Sequence, residues 1–107
     1  MTTSKMKQIV EQYGVEYVFR QLAEEASELC QAALKMVRVM NNETPVRWAE
    51  AQQHLMEEMA DVRVMWEMVT NCVLNDDASN KIWDMIWMKE DRMERRMLEG
   101  DNGEGET

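Results

Sequence analysis

The chain has 107 residues, which is enough for one compact domain but too few for two. Twelve methionines against four glycines and one proline favour helices, because methionine tolerates a helix whereas glycine and proline interrupt it. The net charge of −9 argues against a protein that binds the backbone of nucleic acid, and the absence of an apolar run of about eighteen residues argues against a membrane span.

Apolar residues that recur every three or four positions predict two helices in the first part of the chain. The first ends at Tyr13, with Ser4 as its N-cap and Gly14 as the residue that stops it. The second occupies residues 15–40, and its predicted apolar stripe consists of Val18, Leu22, Ala26, Leu29, Ala33, Met36 and Met40. The loop of residues 41–45 ends this helix.

Two further helices are predicted in the rest of the chain. Thr44 is suited to cap the third helix and Pro45 to occupy its first turn. Its predicted apolar stripe consists of Leu55, Met59, Val62, Trp66, Val69 and Val73. The fourth helix begins after a cap at Asn75 or Asp76 and continues to Met97.

These helices predict an all-α fold, an antiparallel bundle of about four helices in which the two long central helices carry the acidic motifs. Residues 1–98 are predicted to form a single domain, and the acidic, glycine-rich residues 99–107 a disordered tail. Helices this long leave much apolar surface on a short chain. We therefore expect oligomerisation to complete the bundle.

The two cysteines, Cys30 and Cys72, both fall in helical stretches and are predicted to be reduced. The first residues also lack the apolar region of a secretory signal. A cytoplasmic protein without a membrane or nucleic-acid partner is the simplest interpretation.

Two acidic motifs, Glu24-Glu25-Ala26-Ser27-Glu28 and Glu58-Met59-Ala60-Asp61, lie on the second and third helices. At about 100° per residue, Glu25 and Glu28 lie roughly 60° and 120° from a stripe centred on Leu22. Measured from Leu55, Glu58 and Asp61 fall at roughly the same two angles. Glu24 points away from the stripe, so the geometry leaves Glu25, Glu28, Glu58 and Asp61 as a matched set.

If the two helices pack antiparallel through their stripes, these four carboxylates converge at the edge of the interface. Like charges at short range repel, and a partly buried carboxylate loses hydration. A divalent cation relieves both costs, and an all-oxygen ligand set suits Mg²⁺ or Mn²⁺ better than Zn²⁺. The alternative is that the acids form an ordinary solvated helix face.

A di-iron carboxylate site does not fit the sequence, because such sites use Glu-x-x-His pairs on two helices. The chain has one histidine, His54, and it precedes its acid in the order His54-Leu55-Met56-Glu57, the reverse of that pattern. We interpret His54 as a surface or packing residue.

The two motifs in this order resemble the E-E-x-x-E…E-x-x-D signature of the MazG-like all-α nucleoside triphosphate pyrophosphohydrolases, which include dimeric dUTPases and dCTP pyrophosphatases. The flanking residues agree, namely Gln21-Leu22-Ala23 before the first motif, Ala32-Ala33-Leu34-Lys35 after it and Val62 after Asp61. The resemblance covers roughly residues 8–97. It is closest to the small single-domain form encoded by bacteria and their phages.

The resemblance implies hydrolysis of a nucleoside triphosphate between its α and β phosphates, which gives a monophosphate and pyrophosphate. By position, Glu25, Glu28, Glu58 and Asp61 are the expected catalytic residues and Mg²⁺ ligands, with Mn²⁺ as a substitute. The expected partners are the triphosphate substrate and further copies of the chain in a homodimer or homotetramer. The resemblance does not identify the carboxylate that acts as general base. It also does not identify the preferred nucleobase or sugar.

Basic residues suited to phosphate lie mainly on the fourth helix. Lys89, Arg92 and Arg96 fall within about 60° of arc on one face, and Lys35 lies on the same flank of its helix as Glu28. The family carries a comparable Lys…Arg pattern, although Met93 stands where some relatives have an asparagine. The alternative is that these bases pair with neighbouring acids on a solvated helix.

The aromatic residues are interpreted mainly as packing residues that join helices or subunits, with stacking on a nucleobase as the alternative; they are Tyr13, Tyr17, Trp48, Trp83 and Trp87. From another functional class, the chain can be a non-enzymatic, dimeric helical interaction module whose acidic face docks a basic partner. A third alternative is a relative that binds nucleotides without cleaving them.

Overall fold

The computed structural model describes residues 1–100 and contains four α helices, with no strand among these residues. The helices are α1 (Thr3–Tyr13), α2 (Val15–Met40), α3 (Trp48–Cys72) and α4 (Asp76–Met97). The prediction of an all-α fold with four helices is confirmed. The predicted tail, apart from residues 99 and 100, lies outside the described residues. Within the described range, no helix has the length and apolar character needed to cross a membrane.

The first helix begins earlier than its sequence predicts. Thr2, not Ser4, is the N-cap, because Thr2 has an extended backbone and its Oγ1 accepts a hydrogen bond from the Lys5 N–H at 3.2 Å. Ser4 lies inside the first turn. The predicted end at Gly14 is confirmed: its φ of +92° breaks the helix, and its N–H donates to the Val10 carbonyl at 2.8 Å.

The predicted start of the third helix is wrong. The Thr44 hydroxyl accepts a hydrogen bond from the Val46 N–H at 3.4 Å, so it closes a local turn and does not cap a helix. Helix α3 begins at Trp48, after Arg47 in an extended conformation. Pro45 therefore belongs to the loop between α2 and α3 and not to the first turn of α3.

The fourth helix begins where the sequence predicts. The Asn75 side chain accepts a hydrogen bond from the Ala78 N–H at 2.8 Å, which selects Asn75 over Asp76 as the N-cap. The chain divides into two compact units, residues 1–73 and a second unit that begins at Leu74. No residue of α4 is buried. The single domain over residues 1–98 and its completion by oligomerisation stay predictions.

In the first unit, α1 contacts both α2 and α3, and the most extensive contact is between α2 and α3. We call the α2–α3 contact the seam. On α2 the seam follows positions seven residues apart, where Val18 and Ala32 are fully buried and Glu25 and Val39 are half-buried. On α3 the same spacing gives Ala51, Glu58 and Met65, while the next position, Cys72, lies against the Thr3 carbonyl of α1. Seven residues are close to two helical turns, so each series follows one face of its helix.

The rotation of α3 differs from the predicted stripe. Met59 and Trp66, which the stripe contains, are exposed, and Met59 has 55% of its surface accessible. Val69 of the predicted stripe is buried, but the other buried residues of α3 lie outside it, namely Ala51, Glu58, Met65 and Met68. At Ala51 a small side chain lets the two helices approach closely, whereas the larger Trp66 lies outside the contact. In α2, likewise, Ala32 is buried and the predicted Ala33 is exposed.

Candidate metal centre

Two carboxylates occupy seam positions that are otherwise apolar. Glu25 lies midway between the fully buried Val18 and Ala32, and Glu58 lies midway between Ala51 and Met65. Glu58 therefore belongs to the buried line of α3 and not to its flank, where the sequence places it. Only 8% of Glu58 is exposed. Ionised glutamate at such a position needs a compensating group.

Three of the four predicted ligands come together. Glu25, Glu58 and Asp61 each offer a carboxylate oxygen, and these three oxygens lie within 4.8 Å of one another. A hard divalent cation binds oxygen ligands at about 2.0–2.6 Å, so oxygens on opposite sides of it are about 4–5 Å apart. The spacing of this carboxylate cluster can therefore hold a metal ion.

The cluster also contains buried oxygens that lack a partner. Oε2 of Glu25 and Oε2 of Glu58 are both inaccessible to solvent, and neither has a hydrogen-bond partner in the described part of the chain. A buried acceptor without a donor costs free energy, and the cost is larger for a charged group. A cation bound between these side chains would satisfy both oxygens and neutralise their charge.

The pKa of the Glu25 carboxyl is raised above its ordinary value. Burial is the largest cause, followed by the negative charges of Asp61, Glu28 and Glu58 and a side-chain hydrogen bond with Asp61. A carboxyl group with a raised pKa accepts a proton more readily than an ordinary glutamate, because its charged form is less stable there.

The pKa of Glu58 is raised as well, again mainly by burial. A side-chain hydrogen bond with Glu28 comes next, then the charges of Glu28 and Asp61, while the charge of His54 acts in the opposite direction. Glu25 thus faces Asp61, and Glu28 faces Glu58. Since the pairings run in opposite directions along the two helices, α2 and α3 are antiparallel.

The fourth predicted ligand, Glu28, lies at the margin of the cluster. It is exposed and interacts with Glu58, but it is not one of the three acids whose oxygens lie within 4.8 Å of one another. Glu24 and Glu57, the neighbouring acids on the two helices, are exposed and accept hydrogen bonds from Gln21 and Gln53. They turn away from the seam.

His54 is the residue that sequence reasoning missed. Its Nε2 lies 3.3 Å from Oε1 of Glu58, one helical turn away, and its Nδ1 is buried without a hydrogen-bond partner among the described residues. The signal was available in the spacing, because residues four apart on a helix are neighbours. A spacing of three residues, as in the Glu-x-x-His pattern, pairs His54 with Glu57 and not with Glu58.

The basic residues predicted to bind phosphate are on both units. Lys35 is half-buried on α2, seven residues and thus about 10 Å beyond Glu28 along the helix axis. Lys89, Arg92 and Arg96 are exposed on α4. None of the four forms an ion pair within residues 1–100, whereas Arg95 pairs with Asp91 at 2.8 Å. Their contact with phosphate stays a prediction.

The tryptophans of α4 are not core residues of the described chain. Trp83 and Trp87 are 62% and 76% exposed, so packing between subunits or stacking on a base stays the predicted role. Tyr13 and Tyr17 stack on each other across the kink at Gly14, with ring centroids 5.0 Å apart. Trp48 is half-exposed at the start of α3.

An open apolar groove of about 480 Å³ lies on the first unit next to the acidic motifs. Its lining comprises Leu29, Met59, Ala60, Val62, Arg63 and Trp66. The groove exists because α3 turns Met59 and Trp66 away from the seam, so their apolar surface remains accessible.

Comparisons of the chain with protein-family models, with curated proteins and with solved structures found no match in any of the three. The interpretation of the carboxylate cluster therefore depends on its residues, their burial and their spacing.

Proposed function

We propose that the protein is a Mg²⁺-dependent nucleoside triphosphate pyrophosphohydrolase that cleaves an NTP or dNTP between its α and β phosphates. The observation that supports this most is the carboxylate cluster, in which the half-buried Glu25, the buried Glu58 and the exposed Asp61 bring oxygens within 4.8 Å of one another. The order of the two acidic motifs, which resembles that of the MazG-like enzymes, supports the choice of reaction.

In this proposal Glu25, Glu58 and Asp61 hold the cation, and Glu28 is positioned to complete the set. Mg²⁺ is the expected ion and Mn²⁺ a substitute, because all the ligands are carboxylate oxygens. When bound, the ion neutralises phosphate charge and lowers the pKa of a bound water. The unpartnered Oε2 atoms of Glu25 and Glu58 fit this role.

The chain's own residues divide the remaining tasks. A carboxylate that is not fully engaged by the cation can accept the proton of the attacking water, and the exposed Glu28 fits this task best. Lys35, Lys89, Arg92 and Arg96 supply positive charge for the phosphates, because cations clamp a transferring phosphoryl group by electrostatic attraction. The pyrophosphate leaves as the second product.

The test is a panel of the common ribo- and deoxynucleoside triphosphates with Mg²⁺, in which pyrophosphate and orthophosphate are measured separately. We expect pyrophosphate with at least one substrate, and the same panel identifies the preferred base and sugar. Release of orthophosphate alone would indicate cleavage at the γ phosphate and contradict the proposal. So would a panel without any product.

A second candidate is a non-enzymatic helical interaction module that works as a dimer. The exposed apolar side chains of α4, above all Trp83 and Trp87, favour it, since large exposed apolar patches mark interaction sites. This candidate requires that Mg²⁺ leave the thermal midpoint unchanged and that each of the four acids be replaceable. The enzyme requires that Mg²⁺ raise the thermal midpoint and that the acids not be replaceable. A homodimer or homotetramer is compatible with either candidate.

A further inference from the structure

His54 lies beside the most buried ligand of the cluster without belonging to it. The 3.3 Å distance joins its Nε2 to Oε1 of Glu58, whereas Oε2 of Glu58 has no partner among the described residues. The two oxygens of one carboxylate thus differ: one is next to an imidazole nitrogen and the other is buried and unpaired. Oε2, which has no partner among the described residues, is therefore the oxygen with all of its acceptor capacity free for a cation.

The position of His54 argues against a direct ligand role. The group of side chains whose candidate ligand atoms all lie within 4.8 Å of one another contains Glu25, Glu58 and Asp61, and it does not include His54. His54 precedes Glu58 by one turn, which moves its ring along the helix axis by about 6 Å. It contacts a ligand, and it does not join the ligand set.

An imidazole in this position constrains a carboxylate in a defined way. A neutral histidine carries one N–H, and donation from Nε2 to the carboxylate leaves Nδ1 as an acceptor. Groups that hydrogen-bond a metal ligand fix its rotamer, and their loss typically weakens metal binding by about 10- to 100-fold. Hydrogen bonds of this kind are often long before the ligand is bound and shorten in the complex.

We propose that His54 is a positioning residue for Glu58: its Nε2–H holds Oε1, so that Oε2 is directed into the carboxylate cluster. This inference rests on the metal site of the proposed function and adds a residue that the motif resemblance does not contain. It requires a donor at the position of Nε2. It does not require an imidazole ring.

Three variants of His54 test the requirement. Glutamine carries an amide N–H close to the position of Nε2, asparagine carries one close to Nδ1, and alanine carries none. We expect His54→Ala and His54→Asn to weaken Mn²⁺ binding by about 10- to 100-fold in calorimetric titration, and His54→Gln to stay within about threefold of the parent chain. Far-UV circular dichroism checks the helix content of each variant.

Gln53→Ala is the matched control. Gln53 makes the equivalent contact with Glu57, at 3.1 Å and four residues away, but on the exposed side of the same helix. Its removal should leave Mn²⁺ affinity unchanged. If Gln53→Ala weakens binding as much as His54→Ala, general loss of helix stability explains the effect and the inference is wrong.

The remaining outcomes separate the inference from the proposed function. If the parent chain binds Mn²⁺ and His54→Ala binds it equally well, the positioning role is wrong and the metal site stands. If His54→Gln loses as much Mn²⁺ affinity as His54→Ala, the proposal that Nε2 donates a hydrogen bond to Glu58 is wrong. If the parent chain does not bind Mn²⁺ at all, the metal site fails and the role of His54 fails with it.

Discussion

The helices of the α2–α3 seam and helix α4 contain similar types of residue, but only the seam buries any of them. All three helices are long, with 26, 25 and 22 residues, and all mix methionine with charged side chains. In the seam, Glu58 is almost fully buried. On α4 nothing is buried, and Trp87 is 76% exposed. The seam therefore buries a carboxyl group, whereas α4 exposes large aromatic side chains.

Each region thus carries a group that its own surroundings do not satisfy. Positive charge would stabilise the buried oxygens of Glu25 and Glu58, whereas an apolar partner surface would cover the exposed tryptophans of α4. The two needs are chemically different. Perturbing one should leave the other unaffected, which makes the comparison testable.

Glu58→Gln should have the largest effect. It keeps the size of the side chain but removes the charge at the centre of the cluster, so we expect pyrophosphate release to fall by more than about 100-fold, the upper end for residues that only support a ligand. Glu57→Gln, one residue away and exposed, should stay within about twofold. Equal losses in both variants would remove the distinction between buried and exposed acids.

Divalent cation should stabilise the parent chain but not Glu58→Gln. A ligand at 100 times its Kd stabilises the folded state by about 2.7 kcal/mol, which for a chain of this size corresponds to roughly 10 °C or more in Tm. Without cation at pH 7, Glu58→Gln should melt above the parent, because the amide removes repulsion and can donate hydrogen bonds to the neighbouring carboxylates. Thermal melts with Mg²⁺ and with a chelator measure both effects.

Gly14→Ala should destabilise the first unit by about 1–3 kcal/mol, the usual cost of a side chain in a backbone region that only glycine adopts freely. Gly14 has φ +92° and ψ 159°, and no atom near a new Cβ would add a clash. Gly100 also has a positive φ, but it follows the exposed end of α4, where the last turn can fray. Its alanine variant should change the unfolding free energy by less than about 0.5 kcal/mol.

The cation-free chain should lose stability as the pH rises above the ordinary carboxyl pKa of 4.5. Folding raises the pKa of Glu25 and Glu58, so the folded state holds their protons more tightly than the unfolded state. The stability from this source is fully present below pH 4.5 and is lost as the pH passes the raised values. Urea titrations across pH 4–7 should show a shallower decline for Glu58→Gln, and an unchanged slope would contradict the assignment.

Trp87→Ser should have the smallest effect on the isolated chain. The side chain is 76% exposed, so the unfolding free energy at low protein concentration should change by less than about 0.5 kcal/mol. If α4 joins copies of the chain, the same variant should sediment as a smaller species at micromolar concentration. A parent chain that is already monomeric there would contradict the predicted oligomer.

Much of the fold was predictable because its signals are local. The helix stop at Gly14 and the cap at Asn75 each depend on a single residue and its near neighbours. The start of α3 was predicted wrongly for the same reason. Thr44 carries a capping hydroxyl, but this hydroxyl bonds to Val46 within the loop.

The sequence by itself determined four helices and predicted a set of acids, three of which come together in the structure, because helical periodicity and capping act over a few residues. Only the tertiary structure decided how α3 is rotated, since that depends on how small side chains such as Ala32 and Ala51 fit across the seam. The rotation places Glu58 in the buried line and His54 beside it. Burial is a property of two helices together, and neither helix encodes it alone.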